Sequence, residues 1–77
     1  MTLSSKDIRI GSRLRVLSYR NQSPYAQHLQ YMGLVPGTEV EVIRRAPLGD
    51  PIELRLRGFS LALRPAEADD LEVQLLS

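Results

Sequence analysis

Ile52-Glu53-Leu54-Arg55-Leu56-Arg57-Gly58-Phe59-Ser60-Leu61-Ala62-Leu63-Arg64 is the stretch that decides the fold. From Ile52 to Arg57 apolar and charged residues alternate without a break, the period of a strand with one buried face. After Gly58 the alternation resumes, with Phe59, Leu61 and Leu63 set against Ser60, Ala62 and Arg64. Arg57-Gly58 has the length of a two-residue hairpin turn, and Gly58 tolerates the positive φ such a turn needs. That turn places Leu56 opposite Phe59, so the two apolar stripes merge on one face. A slip of one residue would turn both stripes to water, which specifies the register.

The same period extends outward in both directions. Arg13-Leu14-Arg15-Val16 alternates. In Thr38-Glu39-Val40-Glu41-Val42 the valines face one way and the glutamates the other, and Leu71, Val73 and Leu75 alternate with Glu72 and Gln74. Five short strands result, separated by frequent Gly and Pro. Ser23 to Gly33 follows a different rule. Ser23 is an N-cap residue, Pro24 suits the first helical position, and Gly33 stands just past the end. At about 100° per residue, Tyr25, Leu29 and Met32 share a face, His28 sits on its edge, and Gln27 and Gln30 point away. This short helix is expected to lie across an open end of a barrel. Pro65 to Asp70 reads as one helical turn before the last strand.

These elements predict a mainly β fold: a small five-stranded SH3-like barrel with a short α-helix after the first strand, one domain over residues 1–77. An OB-type barrel also has five strands and a helix. It usually places the helix between its third and fourth strands rather than after the first.

Composition narrows the function. Seventy-seven residues allow one small domain, which buries only roughly 60–65% of its unfolded surface. The absence of cysteine excludes disulfides and thiol chemistry. Ten Lys+Arg against nine Asp+Glu give a net charge of +1, far from the basic surface of a nucleic-acid binder. No run approaches the ~18 apolar residues of a membrane span, and no signal-peptide layout opens the chain. Phosphate-loop, dinucleotide and nucleophile-elbow motifs are missing. The expectation is a soluble intracellular binding module that is not an enzyme.

Three features carry candidate chemistry. His28 is the sole imidazole: either a metal ligand or pH-sensitive contact, or a helix-flank histidine half covered by Tyr25 or Tyr31. One histidine leaves a metal site short of ligands, so a divalent ion would sit at a surface or intermolecular site completed by a carboxylate of a second molecule. Ala46-Pro47-Leu48-Gly49-Asp50-Pro51 is a loop stiffened by two prolines. Leu48 either meets a partner at its tip or folds back on the core. Nine arginines include Arg13, Arg15, Arg44, Arg45, Arg55 and Arg57 on strand exteriors. They form either a contact patch or an ordinary solvated face compensated by Glu39, Glu41, Glu53 and Glu72. Of Tyr19, Tyr25, Tyr31 and Phe59, at least two are expected to be buried. The contact surface expected from these features comprises Leu48, Tyr25, His28, Tyr31, Met32, Arg45 and Arg57.

Three blocks in order give a family resemblance. Leu29-Gln30-Tyr31-Met32-Gly33-Leu34-Val35-Pro36-Gly37-Thr38 resembles a segment of the ferrous iron transport protein A (FeoA) family. Arg45 to Ile52 resembles that family's Ala-Pro-Leu-Gly-Asp-Pro stretch, and Arg57 to Arg64 followed by Glu67-Ala68 its third block. Leu3, Ile8, Gly11 and Val16 partly meet its opening pattern, Ile8 replacing leucine. The resemblance implies an SH3-like barrel and a cytoplasmic accessory protein of bacterial ferrous iron uptake, peripheral at the inner membrane through its partner FeoB. That transporter has a GTP-binding domain, and the accessory role is to bind it and support or regulate uptake. No intrinsic cofactor, no nucleic acid and no direct membrane insertion are expected. The expected state is a monomer or a weak dimer bridged by metal. The alternative is a small divalent-metal-binding or metal-sensing protein related to the C-terminal SH3-like domain of iron-dependent repressors.

Overall fold

The computed structural model describes residues 1–48 and 50–77; Gly49, within the Pro47–Pro51 loop, lies outside the described residues. The elements run β1 (Arg13–Tyr19), α1 (Pro24–Tyr31), β2 (Glu39–Arg45), β3 (Ile52–Leu56), β4 (Phe59–Leu63) and β5 (Leu71–Leu75). All five strands form one sheet in the order β4-β3-β2-β1-β5, and every pairing is antiparallel. The helix follows the first strand.

The hairpin that set the register stands as read, with Leu56 opposite Phe59 and Leu54 opposite Leu61. Gly58 has φ +87°, and among the described residues no non-glycine residue has a positive φ. That sign pattern is a type II turn, not the I′ turn most common in two-residue hairpins. Arg57 is compatible with it because only the second turn position needs glycine.

Two bulges bend the sheet. Register shifts lie between Val16 and Ser18 in β1 and between Val42 and Arg44 in β2. An extra residue strengthens the local twist, and it leaves Ser18 exposed although simple alternation would return it to the buried face of Val16. Simple alternation stops at Val16 for this reason, while the strand continues to Tyr19.

One buried cluster fills the concave side. Leu14, Val16, Val40, Val42, Ile52, Leu54, Leu63, Leu71 and Val73 enter it from the strands, with Leu3, Ile8, Leu29, Leu34 and Ala68 from outside the sheet. Each such leucine contributes about 1.5–3 kcal/mol relative to exposure. The stripe on β4 is less complete than expected: Leu63 is buried, Leu61 half-buried and Phe59 43% exposed. Having a neighbour on one side only, β4 leaves the core as it approaches its turn.

The helix is bounded by both its ends. Ser23 accepts a hydrogen bond from the Ala26 amide at 3.1 Å, and Pro24 takes the first turn. At the other end Gly33 has φ +111°. Its amide donates to the Gln30 carbonyl at 3.0 Å, and the Leu34 amide to the Leu29 carbonyl at 3.0 Å. This bond pair is a Schellman motif, and Leu29 and Leu34, its usual hydrophobic pair, are both core residues. The buried face is rotated from the expected one: Ala26 and Leu29 are buried, while Tyr25 and Met32 are only half-buried. The small Ala26 can approach the sheet where the Tyr25 ring cannot.

One further expectation is corrected. No aromatic ring is fully buried: Tyr19 and Tyr25 are half-buried, and Tyr31 is 90% exposed. With few rings, the aliphatic residues alone fill the core. Residues 65–70 form successive tight turns, the expected single helical turn among them. One helix-type bond, from the Ala68 amide to the Arg64 carbonyl at 3.1 Å, carries Ala68 into the core.

Candidate functional site

The stiff loop after β2 presents an apolar tip. Leu48 is 96% exposed, so the alternative in which it folds back on the core does not hold. It lines a cavity of about 530 Å³ with Lys6, Ile10, Arg45, Ala46 and Pro47. Arg45 is partly committed to the fold, since its Nη1 donates to the Ile8 carbonyl. That bond ties the loop base to the segment that also buries Ile8, and it holds the guanidinium beside Leu48. Ile10, 65% exposed, enlarges the apolar patch. Sequence reading missed it because Ile8 took the core position and Ile10 falls between that residue and the turn at Gly11.

On the helix, Tyr25 and His28 stack with ring centroids 6.4 Å apart and planes 28° from parallel. His28 is exposed, and its ring covers Tyr25 on one side. Tyr31 projects freely from the last turn, and Met32 caps it half-buried. Arg57 belongs to a third group. It lines a groove of about 520 Å³ with Gly33, Gly37, Thr38, Leu56 and Phe59. Gly33 forms the floor: a Cβ there would lie 3.6 Å from Leu56 Cδ2 and 3.8 Å from Phe59 Cζ. The Thr38 hydroxyl donates to the Gly33 carbonyl at 3.1 Å and braces this turn. The contact residues are thus brought together in small sets: Arg45 with Leu48, Tyr25 with His28, and Arg57 beside the Gly33 turn that follows Met32.

Two phenols show what burial does near the helix. Tyr19 donates its hydroxyl proton to the Leu34 carbonyl at 2.6 Å. Burial, then the nearby Tyr25, pushes its pKa up to about 12. Tyr25 is also raised, first by burial and then by Glu67, against an opposing backbone hydrogen bond and charge from Arg64. Both phenols therefore stay neutral and act as packing and hydrogen-bonding groups.

Charges on the strand exteriors are partly compensated. Glu39 bridges Arg13 at 3.0 Å and Arg15 at 3.1 Å, and Arg44 reaches Glu53 at 3.8 Å. Such exposed pairs contribute about 0–1 kcal/mol each. Among the described residues no group of three or more His, Cys, Asp or Glu side chains could hold a metal ion. A divalent ion at His28 would therefore need ligands from a second molecule, because such ions usually take three or four protein donors.

The FeoA domain family matches residues 1–75 of this chain. A curated relative, the Fe(2+) transport protein A/Fe(2+) transporter FeoB fusion protein of Porphyromonas gingivalis, is 27% identical over 71 residues. The match covers 92% of this chain and 8% of the length of that protein. Among solved structures, a FeoA-like protein from Clostridium acetobutylicum superposes with a TM-score of 0.84 at 40% identity, over 100% of this chain and 87% of that one. FeoA of Stenotrophomonas maltophilia complexed with zinc, described as a procaryotic SH3 domain protein, gives a TM-score of 0.79 at 28% identity. That match spans 96% of this chain and 89% of the other. The five-stranded sheet and its helix are therefore SH3-like.

Proposed function

The chain belongs to the FeoA domain family, and from that membership we propose that it is a non-enzymatic accessory protein of ferrous iron uptake that binds the membrane transporter FeoB. The observation that carries this reading is the Porphyromonas gingivalis relative, in which transport protein A and the FeoB transporter are one polypeptide. Tethering two domains raises their effective concentration for each other, a gain that requires them to meet. Among the described residues no helix is long and apolar enough to cross a membrane. Its place in this reading is cytoplasmic, peripheral to the inner membrane through FeoB, with residues 1–77 acting as one domain.

Leu48 is the best anchor, since a fully exposed leucine on a proline-stiffened loop gains apolar burial at small entropic cost. Arg45 beside it, the Tyr25–His28 stack, Tyr31, Met32 and Arg57 complete the proposed contact set. Affinity of FeoB for the chain, compared with Leu48→Asp and Tyr31→Ala, tests the surface, with a loss of at least about tenfold expected for an apolar anchor replaced by a charge. Undiminished binding by both variants would remove this surface. GTP turnover by FeoB with and without saturating chain tests regulation: a changed rate supports it, and an unchanged rate leaves assembly as the role.

A second reading rests on the zinc complex of the Stenotrophomonas maltophilia protein. It makes the chain a divalent-metal-binding or sensing module, with His28 and a neighbouring copy sharing the ion. Light scattering with zinc and with chelator, on the chain and on His28→Ala, decides it. Only a dimer that needs both the metal and His28 fits.

A further inference from the structure

The sheet has two outer strands, and only one of them is covered. Alongside β5, the Val73 amide donates to the Met1 carbonyl at 2.8 Å, and Leu3, two residues on, is buried. Among the described residues, strand β4 pairs with β3 alone. Leu56 and Phe59 close a two-residue turn, so they form a mutually hydrogen-bonded pair. Alternation then makes Leu54–Leu61 and Ile52–Leu63 bonded pairs, and Arg55–Ser60 and Glu53–Ala62 the non-bonded ones. The N–H and C=O groups of Ser60 and Ala62 therefore point away from β3. Both residues are exposed. Among the described residues, no backbone group outside β3 is hydrogen-bonded to them.

Proteins normally blunt such an edge with lysine, proline, a bulge or a covering segment. Phe59–Leu63 contains neither lysine nor proline, and its pairing with β3 is continuous from Leu56–Phe59 to Ile52–Leu63. The bulges lie elsewhere, in β1 and β2. Charge then says what fits. Arg57 and Arg64 flank the strand and Arg55 stands across from Ser60. Among the described residues none of the three makes a salt bridge. Glu41 on β2 stands across from Arg55, however, and Glu53 across from Ala62, so Arg57 and Arg64 at the strand's ends supply the charge. A second copy added antiparallel about Leu61 would bring Arg57 of one chain close to Arg64 of the other, and like charges disfavour it. An acidic segment meets both arginines without that penalty.

We propose that the free edge of β4 receives an extended segment of a partner protein as a sixth strand, with acidic residues at its ends facing Arg57 and Arg64. The backbone groups of Ser60 and Ala62 supply its hydrogen bonds, as in other strand-addition interfaces. The half-exposed Phe59 ring gives it an apolar contact beside the Gly33 groove. This surface shares Arg57 with the proposed FeoB contact set but not Leu48, and its test uses peptides without FeoB, so loss of the FeoB reading leaves it standing.

The test is an amide-resolved NMR titration with a capped peptide, Asp-Val-Thr-Val-Thr-Val-Asp, and with its Lys-ended counterpart. The expected result is shifts and slowed exchange at the Ser60 and Ala62 amides, with the Lys-ended peptide weaker by at least about tenfold. Ala62→Pro deletes an outward N–H without touching the β3 ladder, a place where an edge strand accepts proline. It should weaken binding by about tenfold. The surface double variant Arg57→Glu/Arg64→Glu should reverse the peptide preference, and it needs no change within the strand. Absence of shifts at Ser60 and Ala62, equal affinity for both peptides, or unchanged binding by Ala62→Pro overturns the proposal. So does sedimentation of the chain alone as a dimer that Ala62→Pro abolishes, which would assign the edge to a second copy.

Discussion

The two outer strands of this sheet are finished in opposite ways. Around β5 the chain closes on itself: residues 1–3 lie alongside it, Leu3 is buried, and Arg20 reaches Glu72 at 3.3 Å. Tyr19, opposite Leu71, sends its hydroxyl to Leu34. Around β4 nothing comparable is built among the described residues, and Phe59, Ser60 and Ala62 are exposed. The same sheet thus has a side whose groups serve stability and a side whose groups are free to serve recognition. Substitutions should separate the two.

The largest effect should come from the closed side. Leu3 is fully buried in the core cluster, so Leu3→Ala should cost about 2–5 kcal/mol in urea unfolding. Phe59→Ala removes a larger side chain from the open side, yet that ring is 43% exposed and the loss should be the smaller of the two. Equal losses would show that β4 is as integral to the core as the opposite edge.

Next comes Tyr19. Tyr19→Phe removes the bond to a carbonyl of a fully buried residue, Leu34, and should cost about 1–3 kcal/mol at neutral pH. Its pH dependence has a definite sign. The folded pKa is raised from 10.0 to about 12. The contribution of the neutral phenol is therefore complete below pH 10 and is lost as pH rises through about 12. Unfolding measured across that window should fall more steeply for the native chain than for Tyr19→Phe. Tyr25, also raised, keeps some slope in the variant. Parallel curves would mean that Tyr19 is not the group held neutral by the fold.

Sequence reading reached the hairpin, the five strands and both helix ends, because each depends on neighbours within a few residues. It missed what depends on distant ones. The bulges at Leu17 and Ile43 break alternation, so β1 seemed to end at Val16. Ala26 rather than Tyr25 is buried because the separation between helix and sheet, which no helical period contains, admits the smaller side chain. Leu48 could point either way until the loop was placed, and Ile10 gave no periodic signal at all. Which strand ends the sheet is likewise a matter of topology: Phe59–Leu63 alternates as cleanly as Ile52–Leu56, yet one is outer and the other central.

The smallest effect on stability is also the sharpest test of the contrast. Lysine on an exposed edge strand is a common device against unwanted pairing, and β4 lacks one. If its edge were bare only because nothing selects against pairing there, Ala62→Lys should change neither folding nor binding. The open-edge account expects one change without the other. Ala62 is exposed and has an outward N–H, so Ala62→Lys should leave stability within about 0.5 kcal/mol. Exchange protection at Leu61 and Leu63, whose amides face β3, should be unaltered. Yet a cation placed beside Arg57 and Arg64, on a side chain that shields the edge, should hinder an incoming strand. A measurable loss of stability would instead mean that Ala62 packs against the fold, and the edge would then be no more available than its counterpart on β5.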